Sequence, residues 1–427
     1  MSFVPSYLEA ELLKNDALEG LRGIAALGVV FSHLLFSLFP YLANNMVPSS
    51  NIPQAFGWES IAIQPFFSIF YNGSFAVSIF FVLSGYVLTK KFYETGDTRV
   101  LYSGAVKRYP RLIIPAAVSV FFAWTLLSAG AMNNDLIPAL GSAGWPYGQY
   151  HEPVSFVEAV RMAFVGAPLL GETVLNTPLW TIRIELLGSL FLFAAYAIVG
   201  AKRPIVAFLA YLPMVLLTNW ANISIVHFIA IFGGSLLNRP HNLSKISWYL
   251  IAAGLIGGGF DYSEFYAWVP VMGGEEKLVM NTLGAVLLVA GTLANPAFAA
   301  RSASKAPVFL GRVSYSSYLI HWPIICSFSF GMLYVLKLQL GLDHQTAALI
   351  VLASTLAFVL VAATCFERYV DAPATRLASN LARRLMRPAA VAVQAKAGSS
   401  ALGDDLWESR RGGQGGMWRH PNQESEP

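Results

Sequence analysis

A few titratable side chains lie inside long apolar stretches of this 427-residue sequence. Arg22 and His33 belong to one apolar run, Glu185 begins another, and His321 lies in a third. A charged or titratable group at membrane depth costs at least about 2.5 kcal/mol on insertion scales, so each one needs a partner or a chemical task. A neutral imidazole can accept a proton, and a guanidinium can hold an anion. These residues are therefore the first candidates for a reactive site.

Their spacing places them on common helix faces. Arg22 and His33 are eleven positions apart, which in a helix is three turns plus about 20° and roughly 16 Å. Ser314, Tyr318 and His321 follow at i, i+4 and i+7, which makes one stripe. Structural explanations are available for both patterns, because an arginine can extend to the membrane surface and Ser, Tyr and His often form hydrogen bonds between membrane helices.

The composition excludes an ordinary soluble domain. Hydrophobic residues make up 56% of the chain and charged residues only 12%, against about 25% charged in soluble domains. A net charge of +4 is too small to indicate nucleic-acid binding. Cys326 and Cys365 have no metal-ligand spacing around them, so we predict neither a metal site nor a disulfide framework.

The apolar runs predict an all-α, polytopic integral membrane protein. About 20 apolar residues in a helix cross the hydrocarbon core, and ten runs approach that length. They begin near Gly23, Ser74, Leu112, Ile184, Ile205, Ile223, Ile246, Leu278, Tyr315 and Thr346. Lys and Arg concentrate in the connections after runs two, four, six and eight, which predicts that these connections and both termini are cytoplasmic. Arg22 would then lie at the cytoplasmic boundary and His33 about halfway through the bilayer. Nothing in the sequence specifies which membrane this is.

Three regions follow from this pattern. We predict a cytoplasmic N-terminal segment over residues 1–20 and a transmembrane domain over 21–367. The remaining residues, 368–427, are first basic and then rich in Gly, Ser and Glu, a composition typical of a disordered tail.

Five motifs, in order along the chain, resemble those of the membrane-bound acyltransferase 3 family. Arg22 and His33 match the family signature of Arg or Lys, ten residues and His. The other four elements are Phe80–Leu88, which contains Ser84; Lys107–Pro115, which contains Arg108 and Arg111; Leu179–Glu185, which contains Trp180; and Gly311–Pro323, which contains Ser314, Tyr318 and His321.

The resemblance implies transfer of an acyl group from acyl-CoA, most often acetyl-CoA, to a hydroxyl of a carbohydrate, lipid or secondary metabolite. We expect His33 to be the general base, because a buried imidazole stays neutral and can accept a proton, and we add Arg22 and Glu185 as further catalytic candidates, with no metal. Arg22, Arg108 and Arg111 would hold the donor, since its phosphates need cationic partners. The candidates for orienting His33 or the acceptor are Ser84, Trp180, Ser314, Tyr318 and His321. An acyl-histidine intermediate is less favoured.

Two positions depart from the family pattern. Leu186 stands where the family often has a second acidic residue, so a carboxylate pair is not available. Arg183 stands where the family usually has a small or neutral residue, and we expect its side chain to extend to the outer interface.

Two other classes of protein are compatible with intramembrane His, Glu and Arg residues. A proton-coupled secondary transporter is the main alternative, although the sequence has no internal repeat. A non-catalytic scaffold would leave these residues without a task. We therefore expect an enzyme, an acyltransferase for groups other than amino-acyl groups, with the lipid bilayer, acyl-CoA and a hydroxyl-bearing acceptor as partners. The oligomeric state stays open.

Overall fold

Helices form nearly all of the described structure. The computed structural model describes residues 7–44, 46, 51–64, 67–137, 140, 148–218 and 224–386, and these residues contain no strand. The all-α class is therefore confirmed. The principal helices are α1 (Tyr7–Leu38), α2 (Gly73–Thr95), α3 (Arg99–Ser128), α4 (Trp180–Val199), α5 (Pro204–Thr218), α6 (Val226–Leu236), α7 (Ser247–Gly258), α8 (Glu276–Ala294), α9 (Ser314–Ile324) and α10 (His344–Phe366).

Shorter elements connect or extend these helices. Short α-helices cover Glu59–Ala62, Phe156–Arg161, Pro296–Ser302 and Lys305–Arg312, and a further one, Phe330–Tyr334, follows α9. π-Helical segments cover Met162–Leu170, Ile325–Ser329, Val335–Gln339 and Glu367–Asp371. Single 3-10 turns cover Pro40–Ala43, Ser68–Phe70, Asn134–Leu136, Thr177–Leu179, Ser244–Ile246 and Glu264–Tyr266.

Each predicted apolar run corresponds to one principal helix, but the helices differ in length. Among the described residues seven helices, those that contain α1 to α4 and α8 to α10, are long and apolar enough to cross a membrane. The protein is therefore an integral, multi-pass membrane protein. The other three, α5 to α7, are shorter. The 11 residues of α6 span about 16 Å, roughly half of a hydrocarbon core.

Glycines allow α1 to contact the Pro296–Ser302 and Lys305–Arg312 helices backbone to backbone. A Cβ atom on Gly20 would lie 1.8 Å from the carbonyl oxygen of Ser302, and one on Gly23 would lie 2.3 Å from the backbone nitrogen of Gly311. Only residues without a side chain fit at such a distance. Because Arg22 lies between the two glycines, this contact brings it next to the beginning of α9.

The structure describes the three predicted regions to different extents. α1 begins at Tyr7, inside the predicted N-terminal segment, so residues 7–20 are helical. A compact unit ends at Ala378, and a second unit begins at Ser379. Of that second unit residues 379–386 are described and are helical, and the predicted tail from 387 to 427 lies outside the described residues. The region boundaries at 20 and 367 stay predictions.

Replacement of Gly23 by alanine tests the close contact. We expect Gly23→Ala to destabilise the protein by about 1–3 kcal/mol, because the new methyl group collides with backbone atoms that cannot move independently. Thermal unfolding of the purified protein in detergent measures the effect.

Gly28→Ala on the same helix is the matched control. Its Cβ would meet only the Cβ of Ala76, at 3.8 Å, so this variant should unfold at or above the wild-type temperature. Equal unfolding temperatures for the two variants would contradict the contact.

Candidate active site

Two histidines from different helices meet between α1 and α9. His33 Nδ1 and His321 Nε2 are 2.7 Å apart, and the two imidazole rings lie edge to edge, nearly coplanar, with a 5.0 Å centroid separation and 13° between their planes. His321 is completely buried, while His33 is partly exposed. The indole of Trp322 packs edge-on against His33 at 5.4 Å. The contact is therefore a hydrogen bond between imidazoles in an aromatic surrounding.

The partners of His321 determine where the protons lie. His321 Nδ1 is 2.8 Å from the carbonyl oxygen of Tyr318 and 3.1 Å from that of Ser317. Since a carbonyl only accepts hydrogen bonds, Nδ1 of His321 carries the proton. In the neutral ring Nε2 then carries the lone pair, and it accepts the hydrogen bond from Nδ1–H of His33. The same reasoning leaves the lone pair of neutral His33 on Nε2.

A proline positions the segment of α9 that contains His321. Pro323 has no N–H, so the carbonyl of Leu319 four residues earlier loses its helical partner. Asn176 Nδ2 donates to that carbonyl at 2.8 Å and to Ser119 Oγ at 3.1 Å. Asn176, which precedes α4, therefore connects α9 with α3 through these two hydrogen bonds.

Arg22 joins α1 to the start of α9. Its Nε donates to Ser314 Oγ at 3.1 Å, and its Nη2 donates to Glu19 at 2.5 Å and to the carbonyl of Gly311 at 3.2 Å. The Arg22 side chain remains 34% exposed. Arg22 and His33 thus contact α9 at two separate places.

A buried ion pair connects α3 with α4. Arg108 Nη2 donates to Glu185 Oε1 at 2.9 Å, and Arg108 Nε donates to Ser189 Oγ at 2.8 Å. Ser84 Oγ of α2 donates to the same carboxylate oxygen at 2.9 Å. The Arg108 side chain is 6% exposed and that of Glu185 is 22% exposed. The carboxylate of Glu185 is therefore oriented by two donors.

These groups surround a cavity of about 320 Å³ between α1, α2, α3, α4 and α9. The charged lining consists of four arginines and three carboxylates. They are Arg22, Arg108, Arg111, Arg312, Glu19, Glu185 and Asp371. Ser84, Ser314, Thr181, Tyr315 and Tyr318 add hydroxyl groups. The cavity can therefore bind a ligand that has both an apolar stem and polar groups.

The histidine pair lies just beyond this cavity. On α2 the lining ends at Val77, and a Cβ on Gly73, about 6 Å further along the helix, would touch Ser32, the neighbour of His33. His33 therefore lies level with the beginning of α2. Tyr318 lines the cavity, and its ring centroid is 5.9 Å from that of His321 and 6.2 Å from that of Phe80. Tyr318 thus lines the cavity and also packs against His321.

Comparison with known proteins bears on what this site does. The acyltransferase 3 profile, described as an acyltransferase domain, matches residues 15–367. The chain belongs to the acyltransferase 3 family. The O-acetyltransferase PaAT-1 of Phomopsis amygdali is 23% identical over 458 aligned residues, which cover 90% of this chain and 88% of that protein. No solved structure matches the chain. The protein is therefore an enzyme of the acyltransferase class, for groups other than amino-acyl groups.

The structure brings most of the acyltransferase motif residues to one region. Seven of the ten predicted site residues line the cavity: Arg22, Ser84, Arg108, Arg111, Glu185, Ser314 and Tyr318. His33 and His321 form the adjacent pair. Trp180 is absent from the described lining, and its ring packs instead on His227 with a 5.0 Å centroid separation.

Two arginines have surroundings that the acyltransferase motifs did not reveal. Arg183 does not extend to an outer interface, because its side chain is packed inside the helix bundle and is 1% exposed. Arg108 lines the cavity and donates to Glu185 and Ser189, and its role in binding the donor stays a prediction. Arg108 can also influence a ligand through the orientation of the Glu185 carboxylate.

Sequence reasoning missed three residues that organise this acyltransferase site. Asn176 satisfies the Leu319 carbonyl, Thr181 Oγ1 is 2.8 Å from the hydroxyl of Tyr318, and Ser189 accepts from Arg108. The sequence contains a sign only of the first contact, because Pro323 leaves the carbonyl of Leu319 without its helical partner and so predicts a side-chain donor such as Asn176. The other two contacts join helices that are distant in sequence.

A double-mutant cycle tests the Arg108–Glu185 pair. We expect Arg108→Met to destabilise the protein by about 3–5 kcal/mol, because it leaves a largely buried carboxylate without its charge partner. Adding Glu185→Gln should recover much of the loss. Denaturant unfolding in detergent measures both variants.

The exposed pair of Asp97 and Arg99 is the matched control. Arg99→Met removes an ion pair whose arginine is 67% exposed, so it should destabilise the protein far less than Arg108→Met. The pair would lose its structural role if Arg108→Met cost no more than Arg99→Met.

Proposed function

We propose that this enzyme transfers an acyl group, in the first instance acetyl, from acyl-CoA to a hydroxyl of a carbohydrate, lipid or secondary metabolite, with His33 as general base. The single observation that supports this choice most is the hydrogen-bond chain from His33 through His321 to the Tyr318 carbonyl. That chain puts the lone pair of His33 on Nε2. A buried partner likewise holds the catalytic histidine of a hydrolase triad in one tautomer.

In the proposed reaction Nε2 of His33 removes the proton of the acceptor hydroxyl. The hydroxyl oxygen attacks the thioester carbonyl, and the resulting tetrahedral intermediate expels the thiolate of CoA. The thiolate then takes the proton from the His33 imidazolium, which restores the neutral base. His321 keeps its hydrogen bond to Nδ1–H of His33 throughout and so holds the ring in one orientation.

The cavity of about 320 Å³ is the proposed site for the acyl-bearing arm of the donor. Arg22 and Arg111 line it and can bind polar groups of the donor, while Arg108 and Ser84 orient Glu185. Tyr318 lines this cavity and packs against His321. In this proposal the acyl end of the donor passes Tyr318 to reach His33.

The proposed topology agrees with a cytoplasmic donor. We propose ten membrane segments, three of them short, with both termini in the cytoplasm, because Lys and Arg concentrate in the alternate connections. The end of the cavity lined by Asn15, Arg312 and Asp371 would then face the cytoplasm, where CoA thioesters are made. His33 would lie further toward the opposite side, where an acceptor could approach. The similarity to an O-acetyltransferase supports acetyl as the group and oxygen as the acceptor atom.

Labelled acetyl-CoA separates this proposal from the proton-coupled transporter. Mass spectrometry of glycans and small metabolites from cells with and without the gene identifies the acceptor by its lost acyl increment. The purified protein should then transfer label from acetyl-CoA to that acceptor. A transporter would leave the thioester intact, and this result would overturn the proposed function.

Removal of either histidine should reduce catalysis without unfolding the protein. We expect His33→Ala to lower kcat by about 10²–10⁴-fold, because the general base is lost. His321→Ala should lower kcat less, since His33 remains but loses its orienting partner. Transfer of labelled acetyl measures both, with thermal unfolding as a check on folding.

His151→Ala is the matched histidine control. His151 is 40% exposed, its Nδ1 is 3.1 Å from Asp135 Oδ1, and it lines neither cavity, so its loss should leave kcat unchanged. Near-normal transfer by purified His33→Ala protein would remove His33 from the mechanism.

Arg22→Ala tests the donor site. We expect a larger rise in KM for acyl-CoA than for the acceptor, because Arg22 lines the donor cavity and its charge attracts anionic groups. Steady-state kinetics with each substrate varied in turn measures the difference. An unchanged KM for the donor would place acyl-CoA elsewhere.

A further inference from the structure

A second cavity of about 310 Å³ lies on the other side of the seam between α1 and α2. Three segments line it besides Lys14 of α1. They are the last turns of α2 with Tyr86, Lys90, Tyr93 and Glu94, the connection Leu237–Leu243 after α6, and the end of α8 with Ala290, Leu293 and Ala294. None of the acyltransferase motif residues assigned above to catalysis or donor binding lines this cavity.

The charge of this second cavity is predominantly positive. Lys14, Lys90 and Arg239 line it against one carboxylate, that of Glu94, and His241 adds an imidazole. Glu11, outside the lining, is 3.2 Å from Lys90 Nζ and offsets part of that lysine's charge. Lys14, Arg239 and His241 are exposed, so their charged ends can reach a ligand from solvent.

Internal hydrogen bonds hold the walls of the second cavity in place. Asn238 Nδ2 donates to the carbonyl of Tyr86 at 2.8 Å and to Thr89 Oγ1 at 3.0 Å, which fastens the Leu237–Leu243 connection to α2. The hydroxyl of Tyr93 is 2.8 Å from that of Tyr196. A cavity with fixed walls, tyrosine side chains and cationic side chains suits an aromatic ligand that carries phosphates.

The two cavities are adjacent at one point. Asn15 lines the first cavity, its neighbour Lys14 lines the second, and Lys90 Nζ donates to Asn15 Oδ1 at 2.9 Å. An elongated ligand could therefore occupy both by passing over this contact. In the first cavity four arginines face three carboxylates, and this near balance suits an uncharged arm of the ligand. In the second cavity two lysines and one arginine face one carboxylate, so its excess of positive charge is larger.

We infer that the second cavity binds the phosphorylated nucleotide end of the donor while the first holds its uncharged thioester arm. This inference rests on the proposed function, since it assumes an acyl-CoA donor. Lys14, Lys90 and Arg239 pair with the phosphates, and Tyr86 and Tyr93 contact the base. Neither cavity alone serves the whole donor, because the neutral and anionic parts of the ligand need different surroundings.

Binding of adenosine 3′,5′-bisphosphate tests the inference without turnover. The full chain is placed in nanodiscs of phosphatidylcholine, and calorimetry measures the Kd of the bisphosphate. The double variant Lys14→Gln/Arg239→Gln should raise this Kd at least about tenfold, as loss of charge-assisted contacts predicts. The control variant Lys245→Gln/Lys305→Gln removes two exposed lysines that line neither cavity, and its Kd should equal the wild-type value.

Kinetics with two donors provides the second arm of the test. For acetyl-CoA, kcat/KM of the Lys14/Arg239 variant should fall by a similar factor, while for acetyl-pantetheine, which has no nucleotide, it should not change. Equal bisphosphate affinity in the variant and the control would overturn the inference. So would a variant whose only defect is weaker binding of phosphatidylserine in mixed nanodiscs, because a lipid headgroup would then be the ligand.

Failure of the proposed function gives a different result. If the wild-type protein cleaves neither acetyl-CoA nor acetyl-pantetheine in the presence of the acceptor, the acyltransferase proposal itself fails, and the nucleotide assignment falls with it. If wild-type protein uses both donors with equal kcat/KM, transfer stands and only the second cavity's role is lost.

Discussion

Polar groups that lie among apolar helices must find their hydrogen-bond partners inside the protein, because hydrocarbon supplies none. This constraint explains the arrangement of the site. The carbonyl freed by Pro323 is met by Asn176, and the carboxylate of Glu185 is met by Arg108 and Ser84. Each contact joins two helices, so the same bonds that satisfy the polar groups also set the helix positions.

The histidine pair depends on this framework at both ends. His321 is held by the carbonyl of Tyr318 on its own helix, and that helix is held by Asn176. His33 reaches it because glycines let α1 approach the segment before α9. A side chain at Gly23 would separate these backbones, so residues without side chains are as necessary to the site as those that would react.

Sequence reasoning succeeds where periodicity and composition dominate. All ten apolar runs are helical over the described residues, because a helix satisfies the backbone hydrogen bonds of an apolar segment from within that segment. Seven of these helices are long enough to cross a membrane, and the role of α5 to α7 as spans stays a prediction. Sequence reasoning misplaces Arg183, because the position of a residue along a span does not reveal whether lipid or protein surrounds it.

Local hydrophobicity and residue type are enough to predict the membrane class, the helical fold and the set of polar residues that need partners. Which partners these residues have depends on the packing of the helices. Arg108 and Glu185 are 77 positions apart and His33 and His321 are 288 apart. Such pairs depend on how helices pack against each other. The division of the polar space into two cavities on either side of the α1–α2 seam is likewise a property of that packing, because no single helix contains it.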